Sequence, residues 1–246
     1  MDSERNSTYT KTKKSPPDSQ GGARAWSLDA LTAAMCAERN IEPLRSFEQL
    51  AKLYEEGRDY EIECRRGATS VLCAAWHGGT IERGVDLLAE AIAGGTFSFY
   101  AFRALQDAAL PHPLRITSTR FNEPRLLSLA RESDMVVGIH CCDTAPGVQR
   151  IFVGGGASSS TRAELIEILR ANDFNAGHDQ LFPGHHHANP CNLGRVPGLQ
   201  LEVTQAYMNS LLRSEKQFQK LADTVSMFLH DPTIRVWDKR SSRQKS

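Results

Sequence analysis

The sequence predicts a single α/β domain, a three-layer sandwich built on a mixed, mainly parallel sheet. Three observations lead there. Residues 70–76 (SVLCAAW), 135–140 (MVVGIH) and 199–203 (LQLEV) are apolar runs of strand length without alternation, the pattern of strands buried on both faces. Between them lie segments with apolar residues at helical spacing, which supply the covering layers. Residues 59–64 (DYEIEC) and 114–121 (LRITSTRF) alternate apolar with polar and read as antiparallel members exposed on one face.

Composition bounds the partners. Hydrophobic residues at 40% and charged residues at 24% suffice for one buried core in a chain of 246 residues. Lys plus Arg equals Asp plus Glu, 29 each, so no basic excess points to nucleic acid. The six cysteines show no CxxC pair, which favours free thiols in a reducing compartment over a disulfide framework. The first residues lack the apolar core of a signal peptide and no run reaches membrane-spanning length. A cytoplasmic protein without a membrane partner is expected; the oligomeric state stays open.

Taken in order, residues 1–24 have almost nothing to bury and are expected to be a disordered tail; the folded domain is expected over 25–237, with a charged tail over 238–246. A helix begins at Trp26, capped by Ser27, with Leu28, Leu31 and Met35 on one face. In a second, Ser46 and Gln49 have capping-box spacing, Phe47, Leu50, Leu53 and Tyr54 form the stripe, and Gly57 stops it. After the first buried strand, Gly78 and Gly79 are expected to turn the chain. A helix over 85–93 then buries Val85, Leu88 and Ile92 and ends at Gly94. Residues 97–105 read as an aromatic strand with a helical end, and Pro124 opens a short helix through Leu126, Leu127 and Ala130. A short strand at 149–153 closes in three glycines, and a helix at 161–171 buries Leu165, Ile166 and Leu169. Residues 174–197 read as a loop with three consecutive histidines. One long helix is expected from Thr204 toward His230, striped by Leu211, Phe218, Leu221, Val225 and Phe228.

The chemistry lies at the strand ends. His77 with Glu82, then His140, then Glu202 each finish or follow a buried-type strand, where an ionisable group needs a partner or a metal. Two histidines and a carboxylate are the protein ligands of a common catalytic zinc site, which keeps its fourth position open. A further carboxylate is then needed as general base, and Glu202 is available. Each residue also has an ordinary structural role open to it. His140 could bond a core carbonyl, Glu202 could pair with a buried arginine, and Glu82 could cap the following helix.

The segments HGGTIE, FSFYAF, ITSTRFNEP, VVGIHCC, IFVGG and NPCNLGRVPGLQLEV occur in an order that resembles the poly-γ-glutamate hydrolase family, also described as phage-related replication protein. The likeness covers roughly residues 47 to 213. It implies a zinc-carboxypeptidase-like fold and a one-zinc peptidase acting on a γ-glutamyl peptide or polymer. By motif, His77, Glu82 and His140 would be the metal ligands and Glu202 the catalytic base. Departures fall elsewhere: Trp76 stands where the family has proline, Arg120 and Asn122 replace an imidazole and a carboxylate, and the segment from Asn192 to Arg195 is shortened.

Arginine forks suit carboxylates and oxyanions. Arg195 and Arg120 lie within motif segments and are the substrate-binding candidates, with Asn192 as a possible orienting group; Arg120 could equally be a surface arginine, and Asn192 could simply close the turn. The tract His185 to His187 reads first as a solvated loop, second as a lid, and last as a second metal site. Cys141 and Cys142 read as small buried side chains. The rival readings are a zinc amidase or carboxypeptidase for another acidic acyl-amino acid or small peptide, and a metal-binding homologue without catalysis.

Overall fold

The computed structural model describes residues 44–107, 112–145, 147–178, 180 and 182–231. The helix expected from Trp26 and both expected tails lie outside them. The chain runs α1 (Phe47–Leu53), β1 (Tyr60–Arg65), β2 (Val71–Gly79), α2 (Val85–Ala93), β3 (Ser98–Ala104), a 3-10 turn (Ser118–Arg120), α3 (Pro124–Glu132) and β4 (Met135–Cys142). It continues through β5 (Ile151–Gly154), α4 (Ser159–Ala171), β6 (Ala176–His178), a second 3-10 turn (Pro190–Asn192), β7 (Leu199–Thr204), α5 (Gln205–Leu212) and α6 (Glu215–His230).

The strands form one seven-stranded sheet in the order β1-β3-β2-β4-β7-β5-β6. The pairs β3–β2, β2–β4, β4–β7 and β5–β6 are parallel, while β1–β3 and β7–β5 are antiparallel. The expected mixed, mainly parallel sheet is present. The unalternating runs have a simple cause. Val71, Cys73 and Ala75 enter a core with Val85, Leu88, Ile92, Leu221 and Val225, while Leu72, Ala74 and Trp76 enter a second with Leu50, Tyr100, Ile116 and Leu126. Both faces are covered, so both must be apolar. Each fully buried aliphatic side chain contributes about 1.5–3 kcal/mol relative to exposure.

Several expectations change in the structure. Residues 114–121 form no strand: the edge of β3 away from β2 is occupied by β1, and the segment closes turns instead, Arg120 N to Thr117 O at 2.8 Å and Phe121 N to Ser118 O at 3.2 Å. Its alternation comes from Leu114 and Ile116 sinking into the core that holds Trp76. Gly78 and Gly79 still extend β2 beside Arg103 and Ala104, and of the two only Gly79, at φ +67°, leads into the corner. A Cβ on Gly79 would lie 2.2 Å from the Ala104 carbonyl oxygen, so glycine serves close strand approach and the turn comes at Thr80. β3 stays a strand through Ala104 without a helical end. The expected long C-terminal helix breaks after Leu212, and Ser214 starts α6, which packs on α2 and α4. The loop at 174–197 contains β6 and the second 3-10 turn. Helix α2 matches the expected bounds, and Ser46 caps α1 by accepting from Gln49 N at 3.2 Å.

β2, β4 and β7 run parallel, so their carboxyl ends share one rim, where open α/β sheets place ligands. Trp76 packs over Gly138 near that rim: a Cβ there would lie 2.4 Å from the indole, which is fully buried and held by a 3.0 Å bond from Nε1 to Ser118 Oγ. Gly138→Ala should therefore cost about 1–3 kcal/mol in urea denaturation, with a smaller loss in a Trp76→Phe background. An unchanged midpoint for Gly138→Ala would contradict this packing.

Candidate metal centre

β2 carries His77 to the rim, and the following turn folds Glu82 back beneath it, with Glu82 N donating to His77 O at 2.9 Å. β4 brings His140 alongside. The carboxylate of Glu82 bridges the two rings: Oε1 lies 3.0 Å from His77 Nδ1, and Oε2 lies 3.2 Å from His140 Nδ1. All three residues are buried, and their potential ligand atoms lie within 4.8 Å of one another.

The ring of His77 has a defined tautomer. Nε2 sits 2.7 Å from Ile116 O, and a carbonyl only accepts, so Nε2 carries the proton and Nδ1 presents its lone pair. Burial is the main cause that pushes the His77 pKa down to about 4; Glu82 pulls against it, and Arg115 and His140 reinforce it. The imidazole is neutral at neutral pH, the form that ligates metals. Nε2 of His140 is buried without a hydrogen-bond partner among the described residues, and the Trp76 indole meets this ring edge-on at 4.6 Å.

Burial opposes ionisation of Glu82, but the Arg115 guanidinium, aided by the hydrogen bond with His140, outweighs it and holds the carboxyl well below the usual carboxylate range. The Arg115 Nη2 atom is 2.8 Å from Oε1, and the Cys141 backbone N–H donates to Oε2 at 2.9 Å. Two imidazoles, an ionised carboxylate and an unpartnered ring nitrogen form a donor set that fits a divalent cation with an open position.

Glu202 stands opposite His140 on the adjacent strand and is buried. Gln200, two residues earlier on the same face of β7, donates from Nε2 to Glu202 Oε1 at 2.9 Å. The same Nε2 donates to Phe182 O at 3.0 Å, and Gln200 Oε1 accepts from Asn189 Nδ2 at 2.8 Å. The base candidate is thereby tied to the loop above it. His77, His140, Glu202 and Arg115 share a cavity of about 300 Å³, walled by Thr117 to Thr119 on one side and by Phe182 and the segment from Pro183 to His186 on the other.

Four of the seven residues singled out in the sequence therefore meet at one place, and three do not. Arg195 is exposed at the amino end of β4, with its backbone N on Ser133 O and its side chain 3.3 Å from Asp134. It sits at the opposite rim from His140. Arg120 is exposed and does not line the cavity, although Thr117, Ser118 and Thr119 do. Asn192 uses its side chain for bracing: Nδ2 donates to Gly184 O at 2.7 Å and to His186 O at 2.9 Å, while Oδ1 accepts from Gly156 N at 2.8 Å. His185 and His186 line the cavity as part of its wall, and no metal cluster among the described residues includes them. Burial, then Glu82, pushes the Cys141 thiol up, which leaves it inert. The glycine run serves a turn, with Gly155 at φ +96° against Gly198 O. Arg115 was missed. Its place between Leu114 and Ile116 was the available signal, because two core anchors force the intervening side chain the other way.

Fold and donors define an α/β domain with a metal-competent centre at the carboxyl rim of its sheet. The family described as poly-gamma-glutamate hydrolase matches residues 44–230, and this chain belongs to it. UPF0714 protein YndL of Bacillus subtilis (strain 168) is 31% identical over 171 residues, 68% of this chain and 66% of YndL. The SPbeta prophage-derived UPF0714 protein YoqZ of the same strain is 31% identical over 163 residues, 65% of this chain and 57% of its own length. The chain thus spans just under two thirds of one relative and less of the other. A bacteriophage poly-gamma-glutamate hydrolase has the same fold, with a TM-score of 0.69 at 22% identity over 75% of this chain and 95% of that one. YndL in a zinc-free apo form superposes with a TM-score of 0.67 at 28% identity, covering 77% and 98%.

The bracing role of Asn192 has a direct consequence. Asn192→Ala should lose about 1–3 kcal/mol in denaturant unfolding, since it strips partners from the carbonyls of Gly184 and His186, whereas Arg195→Ala should stay within about 0.5 kcal/mol of wild type. Equal stabilities for the two variants would refute it.

Proposed function

We propose that this protein is a zinc-dependent hydrolase of γ-glutamyl amide bonds, with His77, Glu82 and His140 holding one zinc ion and Glu202 acting as general base. The observation that carries the reading is the cluster of three ligand groups, two of which, His77 and His140, line one cavity with a separately supported carboxylate, Glu202. Membership of the poly-gamma-glutamate hydrolase family supports the substrate class, and the zinc-free description of the YndL structure supports zinc over other divalent ions.

Held by His77, Glu82 and His140, zinc would supply Lewis acidity to an amide carbonyl and make a water more acidic. The remaining work belongs to the chain. Glu202 takes the proton of the attacking water and returns it to the leaving nitrogen. Gln200 holds the Glu202 carboxylate at a fixed angle through its 2.9 Å bond. The Ile116 carbonyl keeps His77 in the tautomer that leaves Nδ1 free, and Arg115 with Cys141 N keeps Glu82 ionised. The walls from Thr117 and Phe182 shield the reacting groups from bulk water. Buried thiols at Cys73, Cys142 and Cys191 suit a reducing compartment, consistent with a cytoplasmic site of action.

Protein purified without added metal is expected to contain about one zinc per chain by elemental analysis and to cleave poly-γ-glutamate or short γ-glutamyl peptides in preference to α-linked ones. Glu202→Gln should retain the zinc and lose about 10²–10⁴-fold in kcat. A variant with most of its activity would remove Glu202 from the role of base. A zinc-loaded wild type that cleaves acidic α-peptides instead would move the protein to the amidase or carboxypeptidase reading.

A further inference from the structure

Resting on the reading of the site as a zinc amide hydrolase, we infer that Arg115 is its specificity-determining residue, the cation that receives a second, non-reacting carboxylate of the substrate. Among the described residues that line the cavity, Arg115 is the one lysine or arginine. Among the described residues its ion pair uses one Nη2 contact, to Glu82 Oε1 at 2.8 Å, whereas a guanidinium carries five N–H donors. The side chain is 15% exposed, and Arg115 lines the cavity.

Charge points the same way. A divalent ion at the centre is balanced by the carboxylates of Glu82 and Glu202, since His77 and His140 bring no charge as ligands. Arg115 then leaves one positive charge in excess inside a cavity whose remaining wall is hydroxyls, amides, Phe182, Pro183 and the rings of His185 and His186. An anionic substrate group neutralises it; a neutral one leaves it partly desolvated and unmatched.

The fork is also held in place. Leu114 and Ile116 on either side of Arg115 are buried, and the Ile116 carbonyl is bonded to His77 Nε2 at 2.7 Å. The backbone of Arg115 is therefore pinned to one metal ligand and its side chain to another. A carboxylate paired with Arg115 is positioned at a set offset from the metal centre, which selects by both charge and chain length. This goes beyond Arg195 and Arg120, which lie outside the cavity.

The test uses binding, so that it does not depend on turnover. Zinc-loaded full-length protein is titrated calorimetrically with glutarate and with glutaramate, which differ only in whether the second end is charged. Wild type should prefer glutarate about tenfold or more, from one charge-assisted pair. Arg115→Gln, which keeps an N–H for Glu82 and removes the charge, should abolish the preference, and Arg115→Lys should retain part of it. Zinc content and thermal midpoint are measured for each. A wild type without preference, or an Arg115→Gln protein that keeps it, overturns the inference. Should Arg115→Gln fail to hold zinc, the wild-type and Arg115→Lys ratios decide, and equal affinities for the two ligands in both proteins overturn it. Loss of the glutarate preference in a protein that cleaves no γ-glutamyl amide would sink the proposed reaction and leave this role standing. Cleavage with no dependence of the preference on Arg115 would do the reverse.

Discussion

A carboxylate fully removed from water and kept ionised is the constraint on which this structure turns. Glu82 would favour its neutral form in such a place, and it stays charged because Arg115, the His140 ring and the Cys141 N–H converge on its two oxygens. Removing one member of such a set leaves a buried charge without its partner, a loss of about 3–5 kcal/mol. Glu82 stands in the turn after β2, and its donors come from the segment before the 3-10 turn and from β4. Satisfying Glu82 therefore ties together three stretches that are distant along the chain. The same set is what a divalent cation requires, so fold stability and metal competence draw on one arrangement.

The sheet explains how that arrangement is reached. Parallel β2, β4 and β7 present their carboxyl ends at one rim, and the pairing of His140 with Glu202 is a matter of strand register. A slip of one residue between β4 and β7 would turn one of the two away from the cavity. Register is protected by apolar burial on both faces. It is also protected by glycines that admit close neighbours: Gly138 under Trp76, and Gly79 against Ala104. Trp76 thus serves the core and the edge of His140 with one side chain.

The fold class was legible because the buried strands carry no polar alternation and the helices between them keep their stripes. The four central residues were legible for a related reason. An ionisable side chain at the end of an apolar strand has few structural uses, and His77, His140 and Glu202 all break that pattern. What stayed hidden depended on contacts across the chain. The alternation of residues 114–121 is the same whether its apolar side faces a sheet or a core, and only the occupied edge of β3 decides between them. Arg115 lies in that segment and was hidden with it. Arg195 and Asn192 sit in a motif-bearing stretch, yet the chain passes from the opposite rim to the cavity wall within it, so proximity in sequence to Glu202 did not mean proximity in space. The break after Leu212 has no glycine or proline to announce it; α6 turns to cover α2 and α4.

The central claim is that one cation is held by His77, Glu82 and His140 within reach of Glu202. Anomalous diffraction at the zinc edge from crystals of the full chain grown with one equivalent of zinc tests it most directly. The account predicts one dominant peak, about 2.0–2.1 Å from a nitrogen of each histidine and from a Glu82 oxygen, with Glu202 facing it. A dominant peak on the tract from His185 to His187, with Glu82 still bridging two metal-free imidazoles, would contradict it.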